Sequence, residues 1–291
     1  MASLNSPISW TDSTWNPTTG CTKVSDGCLH CYAETLTNRL FGGDFGTVKM
    51  HPSRIPQVSK FGPIRKGGVL VPRMVFVNSM SDLMHADIPD GFRDQVFSAM
   101  EGHPNTIFQV LTKRPMTLRR YITDRYKNGP IPLNLWLGVS VEDNRVAGRI
   151  DILRSIKNVA GPCTTFLSIE PLIGPVDKHD YTGIDWVLVG GESGPQARDC
   201  SSAWVRHSLD LGRAAGAALW FKQWGKWQNN PLYRATPDRW NHTARIRWAT
   251  QEGERLATEK GGATLDGKTY RELPPAFHML AAPLNCAPGL V

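Results

Sequence analysis

The sequence predicts an α/β fold: a complete or partial (β/α) TIM-type barrel with parallel strands, extended at its C-terminus by a segment rich in Arg and Trp. Two observations lead to this prediction. Short β-branched or aromatic runs alternate with helical patterns between residues 74 and 221, which is typical of βαβ units on a parallel sheet. Each run also ends in polar or charged residues, and the active sites of barrels lie at the carboxyl ends of the strands.

These patterns predict a regular series of strands and helices. The strands are expected at Met74–Val77, Thr106–Leu111, Leu135–Val139, Thr165–Ile169, Trp186–Val189 and Ala218–Phe221, with room for another near residues 8–10. The helices are expected at Ala33–Phe41, Pro89–Glu101, Met116–Tyr126, Arg145–Ile156 and Ser202–Ala215. An open doubly wound sheet ranks second, because no Gly-x-Gly-x-x-Gly follows the first strand.

Two domains are expected: a barrel with an N-terminal loop over residues 1–225, and an extension packed on it over residues 226–291. Residues 42–68 are rich in Gly, Pro, Lys and Arg without apolar periodicity, which indicates a long excursion over the barrel mouth. The Asp-Gly pair inside Ala263–Tyr270 predicts a small hairpin. The C-terminal Leu284–Val291 is expected to be loose.

The composition favours a cytoplasmic protein with one large core. The 291 residues are 41% hydrophobic, and no run approaches the roughly 18 apolar residues of a membrane span. The N-terminus lacks a secretory pattern, so we expect no membrane partner, and we expect a monomer. A reducing compartment also suits the six cysteines, of which Cys163, Cys200 and Cys286 are scattered and are interpreted as structural.

The net charge of +7 favours an anionic partner, and a nucleic acid or nucleotide is the first expectation. Between residues 227 and 248, Trp and Arg residues interleave. This pattern suits stacking on bases and pairing with the phosphates of a single strand. The alternative is a solvated insertion whose Trp side chains pack onto the barrel.

Three cysteines stand close together near the N-terminus: Cys21, Cys28 and Cys31, in a C-x6-C-x2-C array. A structural zinc site closes its tetrahedron with four protein ligands. Three cysteines on a four-iron cluster leave one iron open to bind another molecule, and the array favours such a cluster. Two alternatives remain open: a zinc site completed by His30 or a remote His, and three ordinary buried thiols.

Polar residues at the predicted strand ends form the candidate site, since barrel geometry brings them to one mouth. They are Asn78, Ser79, Ser81, Asp82, Lys113, Arg114, Ser140, Glu142, Glu170, Glu192, Ser193, Lys222 and Gln223. Residues that directly follow a strand could instead be helix N-caps, and this alternative applies to Asp82, Asp143 and Ser202. Lys113, Glu170 and Lys222 are poor caps, so they are the candidate catalytic residues, for substrate orientation or proton transfer.

The cysteine loop ends in Cys28-Leu29-His30-Cys31-Tyr32 and leads into a predicted helix. It resembles the loop of radical S-adenosylmethionine (SAM) enzymes, nearest to their spore-photoproduct-lyase-like branch. The usual spacing there is C-x3-C-x2-C with an aromatic residue before the last cysteine, whereas His30 takes that position here and the first gap is longer. Over nearly the whole chain, motifs such as Gly190-Gly191-Glu192-Ser193-Gly194 resemble a phage-associated family of uncharacterised three-cysteine TIM-barrel-like proteins.

The radical SAM resemblance implies two cofactors and their ligands. Cys21, Cys28 and Cys31 would hold a [4Fe-4S] cluster whose fourth iron chelates the amino and carboxylate groups of SAM. An external electron donor would reduce the cluster, and cleavage of the S–C5′ bond would give methionine and a 5′-deoxyadenosyl radical that abstracts hydrogen from substrate. SAM would contact His30, Tyr32, Asn78, Ser79, Ser81, Asp82, Ser140, Glu142, Gly190, Gly191 and Glu192.

The leading hypothesis is therefore a radical-SAM-like iron–sulfur enzyme whose substrate is unknown, with a nucleic acid or nucleotide favoured. Two rivals come from other classes of protein. One is a non-catalytic nucleic-acid-binding protein with a structural zinc or iron–sulfur site. The other is a nucleotide-processing hydrolase that uses the strand-end carboxylates without SAM.

Overall fold

The fold is built around one large, mostly parallel sheet. A computed structural model describes residues 2–235 and 260–286. The strands are β1 (Ala2–Ser3), β2 (Ser13–Trp15), β3 (Thr18–Thr19), β4 (Lys49–Met50), β5 (Ile64–Lys66), β6 (Val69–Val71), β7 (Arg73–Val77), β8 (Thr106–Thr112), β9 (Leu135–Ser140), β10 (Thr164–Ile169), β11 (Trp186–Gly190), β12 (Ala218–Gln223), β13 (Thr264–Leu265) and β14 (Lys268–Thr269). The helices are α1 (Tyr32–Phe41), α2 (Asp90–Glu101), α3 (Pro115–Arg125), α4 (Arg149–Ala160), α5 (Ser202–Ala214), α6 (Pro231–Ala235) and α7 (Pro275–Cys286).

The large sheet has eight strands in the order β1-β2-β7-β8-β9-β10-β11-β12. The first pair, β1 with β2, is antiparallel, and the neighbours from β2 to β12 are parallel. All six predicted strands are present, because continuous apolar runs suit strands that are buried on both faces. The α/β class and the parallel sheet are confirmed.

The sheet is strongly curved around Trp10. The Trp10 ring centroid lies 4.8 Å from that of Phe76 on β7 and 6.3 Å from that of Trp186 on β11. In a flat sheet, four strand spacings would keep these two strands roughly 19 Å apart. The prediction of a strand near residues 8–10 is wrong: Trp10 lies in a turn and fills the concave face, and the strand forms at Ser13–Trp15.

Apolar layers cover both faces of the sheet. Helices α2 to α5 pack on the outer face, with buried residues such as Phe97, Leu118 and Leu209. The inner face is aromatic, and α7 covers it through Ala276 and Phe277. Residues 270–272 extend this closure by hydrogen-bonding to the free edge of β12. The C-terminal part of the chain therefore completes the core on the concave side.

Two connecting segments differ from the prediction. Helix α4 begins at Arg149 rather than Arg145. Asp143 explains the delay, because its carboxylate accepts the N–H of Arg145 at 2.8 Å in a local turn that competes with the helix. Residues 42–68, interpreted as a long excursion without apolar periodicity, contain β4, a 3-10 helix at Pro52–Lys60 and β5.

The C-terminal predictions have mixed outcomes. The hairpin is confirmed, with Thr264 opposite Thr269 and positive φ angles of 51° and 72° at Asp266 and Gly267. Residues 284–286, expected to be loose, form the end of α7. Residues 236–248 of the Arg/Trp-rich segment, and residues 287–291, lie outside the described residues. Within the described ranges, no helix combines the length and hydrophobicity that a membrane crossing requires.

Candidate metal centre

The three cysteines lie on the loop between β3 and α1, and this loop is anchored at the carboxyl edge of the sheet. The N–H of Gly20 donates to the carbonyl oxygen of Met80, just beyond β7, at 3.2 Å. The N–H of Cys21 donates to the carbonyl oxygen of Phe45 at 2.8 Å. Gly20 has a φ of 85°, and a Cβ there would lie 2.1 Å from the carbonyl oxygen of Thr47. This position therefore requires glycine.

The three thiols are close enough to affect one another electrostatically. Cys28 acts on both Cys21 and Cys31, and all three are partly buried. Burial raises the pKa of Cys21 and of Cys31 above the ordinary thiol value. The backbone of Ala33 and Glu34, at the start of α1, acts to lower the pKa of Cys31, but burial outweighs this effect. Since thiolates are the metal-binding form, loading a metal here would release protons.

The donor set fits an iron–sulfur cluster. Among residues 2–235 and 260–286, no group of three or more His, Cys, Asp or Glu side chains is placed to hold a single metal ion. A cluster makes a different demand, because each cysteine binds a different iron. Three half-buried thiols on one loop, one of which accepts an N–H of Arg114, provide ligands and a hydrogen bond of the kind that such clusters use.

Arg114 ties this loop to the sheet. It is the second residue after β8, next to Lys113. Its Nη1 donates to Cys21 Sγ at 3.5 Å and to Asp82 Oδ2 at 2.9 Å. Its Nη2 donates to the carbonyl and hydroxyl oxygens of Thr22 at 2.9 and 3.0 Å. The Nε2 of His85 lies 2.8 Å from the same hydroxyl. One arginine thus contacts a candidate ligand, its neighbour in the loop and a strand-end carboxylate.

Asp82, predicted to contact SAM or to cap a helix, is engaged inside the protein. Its Oδ1 accepts from the Thr112 hydroxyl at 2.7 Å and from the N–H of Met84 at 2.9 Å. Its Oδ2 accepts from the N–H of Lys113 at 3.2 Å in addition to Arg114. The next helix begins only at Asp90, so Asp82 closes a turn rather than a helix. Its carboxylate supports the arginine that holds the cysteine loop.

Glu142 lies beneath the cysteine loop at the end of β9. Its side chain is 1% exposed, and it receives Lys113 Nζ at 2.8 Å, Arg149 Nη1 at 3.1 Å and the Ser25 hydroxyl at 3.0 Å. The loop packs directly on it, since a Cβ at Gly27 would lie 2.3 Å from Glu142 Cγ. Two cations and a hydroxyl stabilise this buried charge, which would otherwise be costly.

Glu192 contacts His30, the residue directly before Cys31. Its Oε2 lies 3.1 Å from His30 Nδ1, and Arg198 binds both carboxylate oxygens at 2.5 and 2.8 Å. Burial acts to raise the pKa of Glu192, but hydrogen bonds from Arg198 and His30 outweigh it and lower the pKa overall. The cysteine loop is therefore joined to the segment after β11 by the hydrogen bond between His30 and Glu192.

Glu170 and Lys222 form a further ion pair at the strand ends. Lys222 Nζ lies 2.5 Å from Glu170 Oε1, and Gln223 Nε2 is 3.4 Å from the same oxygen. Both side chains of the pair are mostly buried, at 13% and 20% exposure. Glu170 directly follows β10 and Lys222 lies near the end of β12, so this pair lies at the same carboxyl edge of the sheet as the cysteine loop.

The polar residues after β7 connect loops to one another. Asn78 has a φ of 63° and donates its amide to the Thr18 hydroxyl at 2.8 Å. The Ser81 hydroxyl lies 2.7 Å from that same hydroxyl. The Ser79 hydroxyl exchanges hydrogen bonds with the Asn16 side chain, and its carbonyl oxygen accepts from the Tyr32 hydroxyl. These predicted SAM contacts are brought together, and their visible partners are protein groups.

The glycine pair at the end of β11 packs closely against other protein groups. A Cβ at Gly191 would lie 2.1 Å from the carbonyl oxygen of Trp224, and one at Gly190 would lie 3.3 Å from the Glu170 carboxyl carbon. Ser140 is buried at the end of β9, where its carbonyl oxygen accepts from Arg149 at 2.8 Å. The close approach expected for a ligand is made here by the turn after β12.

Sequence reasoning missed several residues of this site. It assigned no role to Ser25, Arg149 or Arg198, and it placed Arg114 among the strand-end residues without a function. Arg114 carried a usable signal, because it directly follows a strand and the predicted catalytic Lys113. Arg149 and Arg198 carried none, since an arginine in or near a helix is ordinarily a solvated surface residue.

Comparison with known proteins gives a family and no activity. A family profile described as "Protein of unknown function (DUF5131)" matches residues 5–274. The matched span includes the cysteine loop and all the predicted site residues. No curated protein and no solved structure matches the chain.

Proposed function

We propose that this chain, which belongs to the DUF5131 family, is a radical-SAM-like iron–sulfur enzyme that reductively cleaves SAM to begin chemistry on a nucleic-acid or nucleotide substrate. One observation carries the proposal: three half-buried thiols share one loop at the carboxyl edge of a parallel sheet. The curvature of the sheet around Trp10 supports the finer inference of a partial (β/α) barrel, whose active site would lie at this edge.

Cys21, Cys28 and Cys31 would hold the cluster, and an external donor would reduce it. When bound, the cluster and SAM together supply a one-electron reduction that breaks the S–C5′ bond of SAM. Such a centre requires thiols that stay reduced, which favours the cytoplasm. The phage association remains a prediction from the resemblance of the sequence motifs.

The ion pairs at the strand ends indicate how SAM would be received. Its amino and sulfonium groups are cationic, whereas Glu142, Glu170 and Glu192 already bind cations of the protein. A carboxylate must exchange a partner to accept SAM. Glu170 is best suited, because Lys222 is a single flexible side chain while Glu192 is held by both arms of Arg198. Lys222, once displaced, would orient the substrate.

The decisive experiment is anaerobic purification and iron–sulfide reconstitution, followed by metal analysis and a visible spectrum. The wild-type protein is expected to be brown and to bind about four irons, as a [4Fe-4S] centre requires. Cys28→Ala is expected to lose the colour and most of the iron, because one ligand is removed. Cys163→Ala is the matched control, since that partly buried thiol lies outside the loop and should leave iron content unchanged.

The same samples separate the proposal from its rivals. Incubation of the wild type with SAM and dithionite is expected to release 5′-deoxyadenosine. A brown protein that releases none would retain the iron–sulfur centre and refute SAM cleavage. A colourless protein with one zinc would favour the non-catalytic nucleic-acid-binding alternative.

A further inference from the structure

The three thiols do not have equivalent surroundings. Cys31 is the N-cap residue of α1 and its side chain makes no capping hydrogen bond, while Cys28 Sγ lies 4.0 Å from the Ser25 hydroxyl. Cys21 alone among them receives a side-chain N–H from a cation, Arg114 Nη1 at 3.5 Å. The loop thus carries one sulfur next to a fixed positive charge.

Several hydrogen bonds fix the position of the Arg114 guanidinium. The Arg114 side chain is 13% exposed, and its two terminal nitrogens donate to Asp82 and Thr22 as well as to Cys21. Asp82 is itself held by Thr112. A planar, permanently charged group with donors on both arms cannot leave the sulfur without breaking several hydrogen bonds at once.

We infer that Arg114 is a positioning residue that sets the reduction potential of the centre held by the loop, making it less negative through its charge and its N–H contact with Cys21. The inference rests on the proposed function. Reduction adds an electron, so a cation and an N–H directed at a ligand sulfur stabilise the reduced form more than the oxidised form.

The test is a redox titration of reconstituted protein, followed by the EPR signal of the reduced cluster. Arg114→Gln is expected to titrate at a more negative potential than the wild type, with the same iron content per chain. Arg213→Gln is the matched control: Arg213 is 59% exposed, lies near the C-terminal end of α5, and pairs with Glu272 rather than with the cysteine loop. Its potential should equal that of the wild type.

Arg114→Lys keeps the charge but loses the two-armed hydrogen bonding of the guanidinium, so its potential should lie between those of Arg114→Gln and the wild type. If Arg114→Gln binds no iron, the comparison of Arg114→Lys with the wild type decides: the shorter side chain should lower the potential, and an unchanged value overturns the inference. Equal potentials in wild type and Arg114→Gln at equal iron content also overturn it, while the proposed function stands. If the wild type binds no iron, both the inference about Arg114 and the proposed function are wrong.

Discussion

Glu142 and Glu192 are the buried carboxylates against which the cysteine loop is seated. Glu142 contacts Ser25 of the loop, and Glu192 contacts His30. Each is under a tenth exposed and is neutralised by arginine, Arg149 in one case and Arg198 in the other. Removing one partner of a buried pair leaves an uncompensated charge, which typically costs about 3–5 kcal/mol. The loop is therefore held by hydrogen bonds to two charge-compensated carboxylates as well as by its glycines.

Glu192→Gln is expected to lose less stability than the wild type when the pH is lowered. The pKa of Glu192 is lowered in the folded chain, since the bonds from Arg198 and His30 outweigh burial. The Glu192 carboxylate therefore contributes to the free energy of unfolding above its unfolded-state pKa of about 4.3. This contribution is lost as the pH falls through the lower pKa of the folded state. Melting temperatures measured from about pH 6 to about pH 3 should fall less in the variant than in the wild type.

The control for this pH series is Asp199→Asn. Asp199 pairs with Lys226 but is 79% exposed, and exposed pairs contribute little. The control should follow the wild-type profile. An identical loss in wild type and Glu192→Gln would show that the contacts of this carboxylate do not contribute to acid stability.

At the scale of elements, the turns after β11 and β12 are pressed together through their glycines. The N–H of Gly191 donates to the carbonyl oxygen of Gln223 at 2.9 Å, and a Cβ at Gly225 would lie 1.9 Å from the carbonyl oxygen of Glu192. This contact fixes where Glu192 leaves the sheet. Close backbone packing between turns, rather than a ligand, is the visible reason for glycine at these positions.

Gly191→Ala is expected to lower the free energy of unfolding by about 1–3 kcal/mol, because its Cβ would overlap the Trp224 carbonyl oxygen at 2.1 Å. Gly91→Ala is the matched control. Gly91 lies in α2 with open space around its Cβ position, so alanine there should stabilise by about 0.4–1 kcal/mol. Urea denaturation of both variants measures these changes. Similar stabilities in the two would contradict the close contact between the turns.

At the scale of the whole molecule, the curved sheet encloses an aromatic interior that the C-terminal helix closes. Trp186 is central to it, with ring contacts to Trp10, Trp136 and Trp220 within 6.3 Å. Its indole N–H donates to the carbonyl oxygen of Glu272, just before α7, at 2.9 Å. These four Trp side chains therefore belong to the core.

Phe277→Ala should destabilise the protein by about 3–5 kcal/mol, the usual cost of removing a buried phenyl ring. Phe277 is 6% exposed and packs in the inner aromatic layer. Met279→Ala, on the same helix but 61% exposed, should change stability by less than about 0.5 kcal/mol. Thermal or urea unfolding measures both. A small effect at Phe277 would mean that α7 is not part of the cooperative core.

The sequence by itself determined the α/β class, the six parallel strands, the Asp-Gly hairpin and the cysteine array, because apolar periodicity, turn chemistry and residue spacing are local properties of the chain. Only the tertiary structure decided which charges meet. Arg114 contacts Cys21 across 93 positions, and His30 contacts Glu192 across 162. Such pairs leave no local pattern, since any arginine can satisfy its charge at many carboxylates until the curved sheet brings one pair together. The packing of α7 on the inner face could not be predicted from the sequence for the same reason, because the segment that covers a face of the sheet can come from a distant part of the chain.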